Sequence, residues 1–275
     1  MRLPDKERAL NFILHNNRKP ALTDKVIILD LDHTLISTQD HYDLLLKFKI
    51  MSDPEHLPLR KRIYYFDLFS TDKIGRGNND GYWGIVRPDT YEFLYFCFLY
   101  FRKVIIWSAG TRDYVHRIVQ YLFRNLPSPD LILTRDDVIF NKRGDVEKPI
   151  TKLMELYPDL NITLENAIFI DDTDTTFFHN KDNAIHIPKY APGLRIEDFN
   201  EQDYVLDKIM TWLLLPEIVE TQDFRETDKS EIFTERYYIN KAYLFGILQR
   251  LGSTGDSSLR DLALGDVRES NDFLV

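Results

Sequence analysis

The sequence predicts an α/β fold: a Rossmann-like parallel sheet with helices on both faces and an insertion subdomain after the first strand. Three observations lead there. Short apolar segments rich in β-branched residues, VIIL, VIIW and AIFI, alternate with amphipathic helical stretches, as strands buried on both faces require. Each of those segments runs at its carboxyl end into polar residues, namely Asp30, Ser108 and the pair Asp171-Asp172. Between the first strand and the next regular helix, residues 37–86 break the alternation with charges, prolines and glycines. That span is too long for a bare loop, so it reads as a small subdomain or lid.

The elements follow in order. Residues 4–16 carry Ala9, Leu10, Ile13 and Leu14 on one helical face and stop before Pro20, so residues 1–24 form an N-terminal helical segment. The strand Val26–Leu29 opens the main domain, residues 25–215. Within the insertion, YYFDLF reads as a strand and GRGNNDG (Gly75 to Gly81) as a turn. RPDTYEFLYFCFLYFR places Pro88 and Asp89 at a helix start. VIIW is a strand, TRDYVHRIVQYLFRN a helix with Tyr114, Ile118, Tyr121 and Leu122 on one side, and DLILT a short strand. KPITKLMELY is helical, AIFI (Ala167 to Ile170) is a strand, and DYVLDKIMTWLLL is a helix closed by Pro216. The remainder, 216–275, reads as a polar linker over 217–230, a helix from about Ser230 to Leu251, and a polar tail.

Composition narrows the function classes. The 44 acidic against 35 basic residues leave a net charge of -9, which disfavours non-specific binding to a nucleic-acid backbone but leaves room for a local basic patch. The basic run Arg60-Lys61-Arg62 reads as a solvated face, with docking of an acidic partner as the alternative. The single cysteine, Cys97, rules out an internal disulfide or a CxxC zinc site and suits an intracellular location, cytoplasm or nucleus. The first twenty residues mix acids and bases without an apolar core, so no secretory signal is expected. The apolar run Phe93 to Phe101 is too short to span a bilayer, and no membrane partner is expected. The histidines show no metal-ligand spacing.

The chemistry starts at VIILDLDHTL. An apolar strand that delivers two carboxylates, Asp30 and Asp32, with Leu31 turned back into the core, sets them on one side at the carboxyl end of the sheet, where ligands of open α/β folds bind. Asp30 can attack phosphorus to form an aspartyl-phosphate, and Asp32 can protonate the leaving oxygen and later activate water. Crowded carboxylates call for a divalent cation, with Mg2+ the expected one. Lys148 supplies a point charge for phosphate, and Ser108 a hydroxyl beside backbone amides at a helix start.

DLDHTL, WSAGTRDY, the lysine of EKPITKL and FIDDTD resemble the four motifs of the haloacid dehalogenase superfamily. More narrowly, they resemble those of the small C-terminal-domain phosphatases, the NLI-interacting-factor-like family, whose members act on the C-terminal domain of RNA polymerase II. Arg87-Pro88 before the following helix fits the same pattern, and the likeness covers about residues 25–215. It implies a haloacid dehalogenase-like fold and a Mg-dependent protein serine/threonine phosphatase acting on a phosphoprotein, with the RNA polymerase II C-terminal domain as a candidate. Asp30 would be nucleophile and metal ligand. Asp32 would be the acid/base, with its backbone carbonyl on the metal, Asp172 a third ligand, and Asp171 a supporting acid beside it. Ser108 and Lys148 would hold the phosphate; Thr34, Tyr114 and Arg135 would bind substrate. His33, the Gly110-Thr111-Arg112 run and the insertion depart from the family pattern, so the substrate stays open. A nucleotide or nucleic-acid-end phosphatase would use the same motifs, and a catalytically inactive phospho-binding module is the remaining alternative.

Overall fold

The computed structural model describes residues 21–39, 42–71, 77–193 and 195–234. In chain order the strands are β1 (Val26–Leu29), β2 (Ile36–Gln39), β3 (Ile63–Thr71), β4 (Gly77–Val86) and β5 (Lys103–Trp107). They continue with β6 (Leu131–Leu133), β7 (Ile139–Phe140), β8 (Val146–Glu147), β9 (Ala167–Asp171) and β10 (Ala184–His186). The α-helices are α1 (Tyr42–Lys47), α2 (Leu57–Arg60), α3 (Thr90–Tyr100), α4 (Arg112–Leu122), α5 (Ile150–Leu156), α6 (Val205–Leu213) and α7 (Pro216–Glu220).

The expected parallel sheet is present, with five strands in the order β10-β9-β1-β5-β6. Strand alternation explains why both faces are dry. Ile27, Leu29, Val104, Ile106, Ile168 and Ile170 join one core with the helical residues Phe93, Leu94, Ile118 and Trp212. Their neighbours Val26, Ile28, Ile105, Trp107, Ala167 and Phe169 join the opposite core, under Ile150 and Leu153 of α5. Each β1 side chain is fully buried, and each such burial stabilises the fold by roughly 1.5–3 kcal/mol. The chain leaves β1 toward β5 on one side and later returns to β9 on the other. The strand order therefore reverses at β1, and the crevice opens at its carboxyl end.

The insertion is a folded unit. β2, β4 and β3 form a three-stranded antiparallel sheet, in which β3 pairs with β4 from Ile63↔Ile85 to Thr71↔Gly77. YYFDLF lies in β3 as the alternation predicts. Gly77 to Gly81, expected as part of a turn, extend β4 instead, because they pair in register with β3. Leu45, Ile50, Leu59, Ile63, Trp83 and Ile85 build a small core with Tyr190 and Phe199 from the main domain. Trp83 packs edge-on to Phe199, ring centroids 6.0 Å apart.

The linker expected over 217–230 is not one. Pro216 sits in the first turn of α7, where its fixed φ favours a start and its missing N–H costs nothing. Ile218, Val219, Phe224 and Ile232 are buried in the main core. Phe224 stacks on Trp212 at 6.3 Å, its N–H bonds to Glu165 O at 3.0 Å, and buried Lys25 holds Val219 O at 2.9 Å. A few apolar residues carry this packing inside a stretch whose average composition is polar. Residues 230–234 form turns. The rest of the C-terminal helix and tail, like the N-terminal helix over 4–16, lies outside the described residues.

Candidate active site

Asp30 follows β1 directly, and its N–H bonds to Ile170 O of β9 at 3.0 Å. Leu31 is fully buried in the same core as Ile27 and Leu29, which leaves the flanking aspartates for the crevice. The chain then turns tightly. His33 takes a left-handed φ of 62°, while Thr34 and Leu35 N–H groups bond back to Leu31 O at 3.2 and 2.8 Å. Tyr190 N–H bonds to His33 O at 2.7 Å. Buried Arg87 braces this turn: its guanidinium donates to Thr34 O at 3.1 Å, to Pro188 O at 3.0 Å and to Asp203 at 3.0 Å.

Across the crevice Lys148 is buried just ahead of α5, anchored by its N–H to Thr176 O at 2.6 Å. Its ammonium donates to Asp30 Oδ1 at 2.7 Å and to Asp171 Oδ2 at 2.8 Å. The second Asp171 oxygen accepts Thr173 N–H at 2.9 Å. Asp171 is therefore committed to the lysine and its own turn, whereas Asp172 is only half-buried. Burial alone would depress the Lys148 ammonium, but Asp30 and Asp171 outweigh it and hold the amine above its ordinary value. Burial pushes the Asp30 carboxyl up; Lys148 opposes the rise and Asp171 adds to it. Burial, then the Asp171 charge, also raises Asp172.

Asp30, Asp171 and Asp172 each offer an oxygen, and these atoms lie within 4.8 Å of one another. Three carboxylates cluster there, and the one ammonium bonds to only two of them, Asp30 and Asp171, while Asp30 and Asp172 are raised in pKa. An all-oxygen cluster with excess negative charge fits a hard divalent cation such as magnesium.

Asp32 has different surroundings. Tyr114 of α4 donates its phenol proton to Asp32 Oδ1, and Thr38 of β2 donates to the same oxygen at 3.1 Å. Thr38 Oγ1 also meets the Tyr64 hydroxyl of β3 at 2.6 Å. Burial raises the Asp32 carboxyl while the Tyr114 and Thr38 hydroxyls pull it down. Thr38 and Tyr64 were not legible as site residues, since nothing local marks a hydroxyl whose partner arrives from another sheet.

Ser108 follows β5 directly, buried, with Oγ accepting Gly110 N–H at 3.0 Å. The Thr34 hydroxyl is buried without a hydrogen-bond partner among the described residues. Arg135 is exposed; its N–H bonds to Gly110 O at 2.9 Å and its guanidinium lies 5.2 Å over the Phe140 ring. The structure thus joins Asp30, Lys148, Asp171 and Asp172 in one cluster and Asp32 with Tyr114 in another. Ser108, Thr34 and Arg135 bond to neither among the described residues. Arg60 and Arg62 of the basic run are spent on structure: Arg60 Nε donates to Ile50 O at 2.8 Å and Arg62 Nε to Val86 O at 2.8 Å. Among the described residues no helix is long and apolar enough to cross a membrane.

A CTD phosphatase-like protein, 355R, of Invertebrate iridescent virus 3 is 26% identical over 185 residues, covering 64% of this chain and 87% of its own. Among solved structures, a beryllium fluoride-bound variant of the fission yeast RNA polymerase II CTD phosphatase Fcp1 shares 18% identity with a TM-score of 0.46, covering 92% of this chain and 66% of its own. A second Fcp1 structure, of an essential RNA polymerase II CTD phosphatase, gives 18% identity, a TM-score of 0.46 and coverages of 91% and 65%. This chain therefore spans just under two thirds of each Fcp1 chain. The family model of NLI interacting factor-like phosphatases matches residues 25–225, and the chain belongs to that family.

Proposed function

We propose that this protein is a Mg-dependent phosphomonoesterase working through an aspartyl-phosphate on phosphoserine or phosphothreonine in a protein tail. The observation that carries the reading is the bridge of Lys148 between Asp30 and Asp171 at 2.7 and 2.8 Å, at the point where the strand order reverses. Family membership supports the activity. The name of the viral relative supports a C-terminal-domain type of substrate, such as the tail of RNA polymerase II. The buried thiol of Cys97 supports a reducing intracellular setting.

Each residue has a part in the mechanism. Asp30 attacks phosphorus, the bond from phosphorus to the leaving oxygen breaks, and Asp32 gives that oxygen its proton. Asp32 then takes a proton from water, whose oxygen attacks phosphorus and releases the Asp30 carboxylate and phosphate. The Lys148 ammonium is placed to spread the phosphoryl charge. The Ser108 hydroxyl proton is free for a phosphate oxygen, because its lone pair receives Gly110 N–H. Magnesium would be held by Asp30, Asp172 and the Asp32 backbone carbonyl, and would supply positive charge for the phosphoryl oxygens.

The test is hydrolysis of an aryl phosphate with and without magnesium, wild type beside Asp30→Asn. Activity that needs magnesium and is lost in the variant is expected; an inactive wild type, or an unaffected variant, overturns the proposal. A second comparison sets phosphoserine peptides against oligonucleotides phosphorylated at the 3′ or 5′ end. A preference for the oligonucleotides would replace the protein substrate with a nucleic-acid one.

A further inference from the structure

Two side chains donate to one oxygen of Asp32, and a third stands behind them. Thr38 of β2 donates to Oδ1 at 3.1 Å, Tyr114 of α4 donates to the same atom, and Tyr64 of β3 contacts Thr38 Oγ1 at 2.6 Å. A hydroxyl carries one proton. With that of Thr38 given to Asp32, the Tyr64 phenol is the donor in its contact with Thr38, and the Tyr114 hydroxyl also touches Thr38 Oγ1. The chain of donors thus runs from Tyr64 to Thr38 to Asp32 Oδ1, and Tyr114 meets it at both Thr38 Oγ1 and that oxygen. Both donors occupy Oδ1, so Oδ2 is the oxygen left to carry a transferable proton.

The surrounding backbone is shaped for this arrangement. A Cβ on Gly84 would lie 2.3 Å from the Tyr64 hydroxyl oxygen and 2.6 Å from Ser37 O, so only glycine lets β4 pass beneath that phenol. A Cβ on Gly110 would lie 2.7 Å from Tyr114 Cδ1. Tyr64 is almost fully buried and tilts against Tyr121 at 5.3 Å, which fixes its ring. An isolated bridge between Asp32 and Ile36 ties the start of β2 to the motif itself.

We propose that Thr38 and Tyr64, both from the insertion, are positioning residues for Asp32. They hold Oδ1 so that Oδ2 faces the leaving oxygen. The insertion then takes part in the proton transfer. This inference rests on Asp32 being the acid/base of the phosphatase proposed above.

The test compares two leaving groups with the full chain and magnesium. Phenyl phosphate needs its leaving oxygen protonated, whereas 2,4-dinitrophenyl phosphate releases a stable phenolate without a proton. For Thr38→Val, kcat on phenyl phosphate is expected to fall about 10- to 100-fold with KM within about twofold, while single-turnover release of dinitrophenolate changes less than about threefold. Tyr64→Phe should give the same selectivity with a loss of about 3- to 10-fold, and Thr38→Ser should recover most of the Thr38→Val loss. Should Thr38→Val not fold, Tyr64→Phe carries the test alone. Equal losses on both substrates, a change in KM only, or no change in either variant overturns the positioning role. A wild type that hydrolyses neither substrate, or an Asp30→Asn variant that matches it, overturns the phosphatase reading and this inference with it. An active wild type with losses blind to the leaving group sinks the inference alone.

Discussion

The ammonium of Lys148 lies 2.7 Å from an Asp30 oxygen, both groups buried, although 118 residues separate them in sequence. The contact fixes the Asp30 side chain and keeps one cation inside a nest of acids; burial raises the Asp30 carboxyl and Lys148 opposes that rise. Replacing Lys148 by Met should strand Asp30 and Asp171 as buried, uncompensated carboxylates. A loss of about 3–5 kcal/mol in stability is expected, together with a fall in kcat of at least about 100-fold. Denaturant melts and steady-state kinetics measure the two effects separately. Lys148→Arg should not restore activity, because a planar fork cannot replace a point charge between two carboxylates.

The oxygen cluster of Asp30, Asp171 and Asp172 predicts a measurable cation effect that needs no substrate. Millimolar magnesium should raise the melting temperature of the wild-type protein through preferential binding to the folded state. Asp172→Ala should abolish that rise while leaving the melting temperature in chelator close to wild type, since Asp172 is half-exposed and its charge is repelled by Asp171. An undiminished magnesium shift in Asp172→Ala would show that Asp172 is not a ligand.

Arg87 should matter for stability beyond its charge. Its guanidinium satisfies Thr34 O and Pro188 O and pairs with Asp203 at 2.9 Å, and it lies over the Tyr190 ring at 5.4 Å. Arg87→Ala orphans buried carbonyls and opens a void, so a cost of about 3 kcal/mol or more is expected. Loss of activity should follow, because the Thr34 turn directly after Asp32 loses its brace. A thermal melt within a degree or two of wild type would contradict this account.

Phe224 tests whether residues beyond α6 belong to the core. It is fully buried and stacked on Trp212. Phe224→Ala should cost about 3–5 kcal/mol, and ending the chain after Leu215 should abolish cooperative unfolding. A neutral Phe224→Ala would return this segment to the status of a linker.

The legible part of the structure was written in local periodicity. VIIL, VIIW and AIFI are buried on both faces, as strands of a helix-covered parallel sheet are, so the α/β fold followed from runs of four residues alternating with helices. The same alternation turned Leu31 inward and left Asp30 and Asp32 for the crevice. Amphipathic spacing likewise marked α4. The turn read at Gly75 to Gly81 illustrates the limit. Glycine and asparagine weaken a strand locally, yet the register with β3 carries Gly77 through Gly81 into β4.

What the sequence determined by itself was therefore the sheet and the presence of acids, a serine and a lysine at the ends of its elements, because those follow from neighbours a few residues apart. Only the tertiary structure decided which acid the lysine binds and that Asp171 is committed to it while Asp172 stays half-exposed. The same holds for the insertion's delivery of Thr38 and Tyr64 to Asp32 and for the packing of Phe224 and its neighbours on the main core. These are pairings of side chains from distant elements. They depend on the angle at which one sheet crosses another and on the room two glycines leave. Neither the angle nor the room leaves a local trace in the chain.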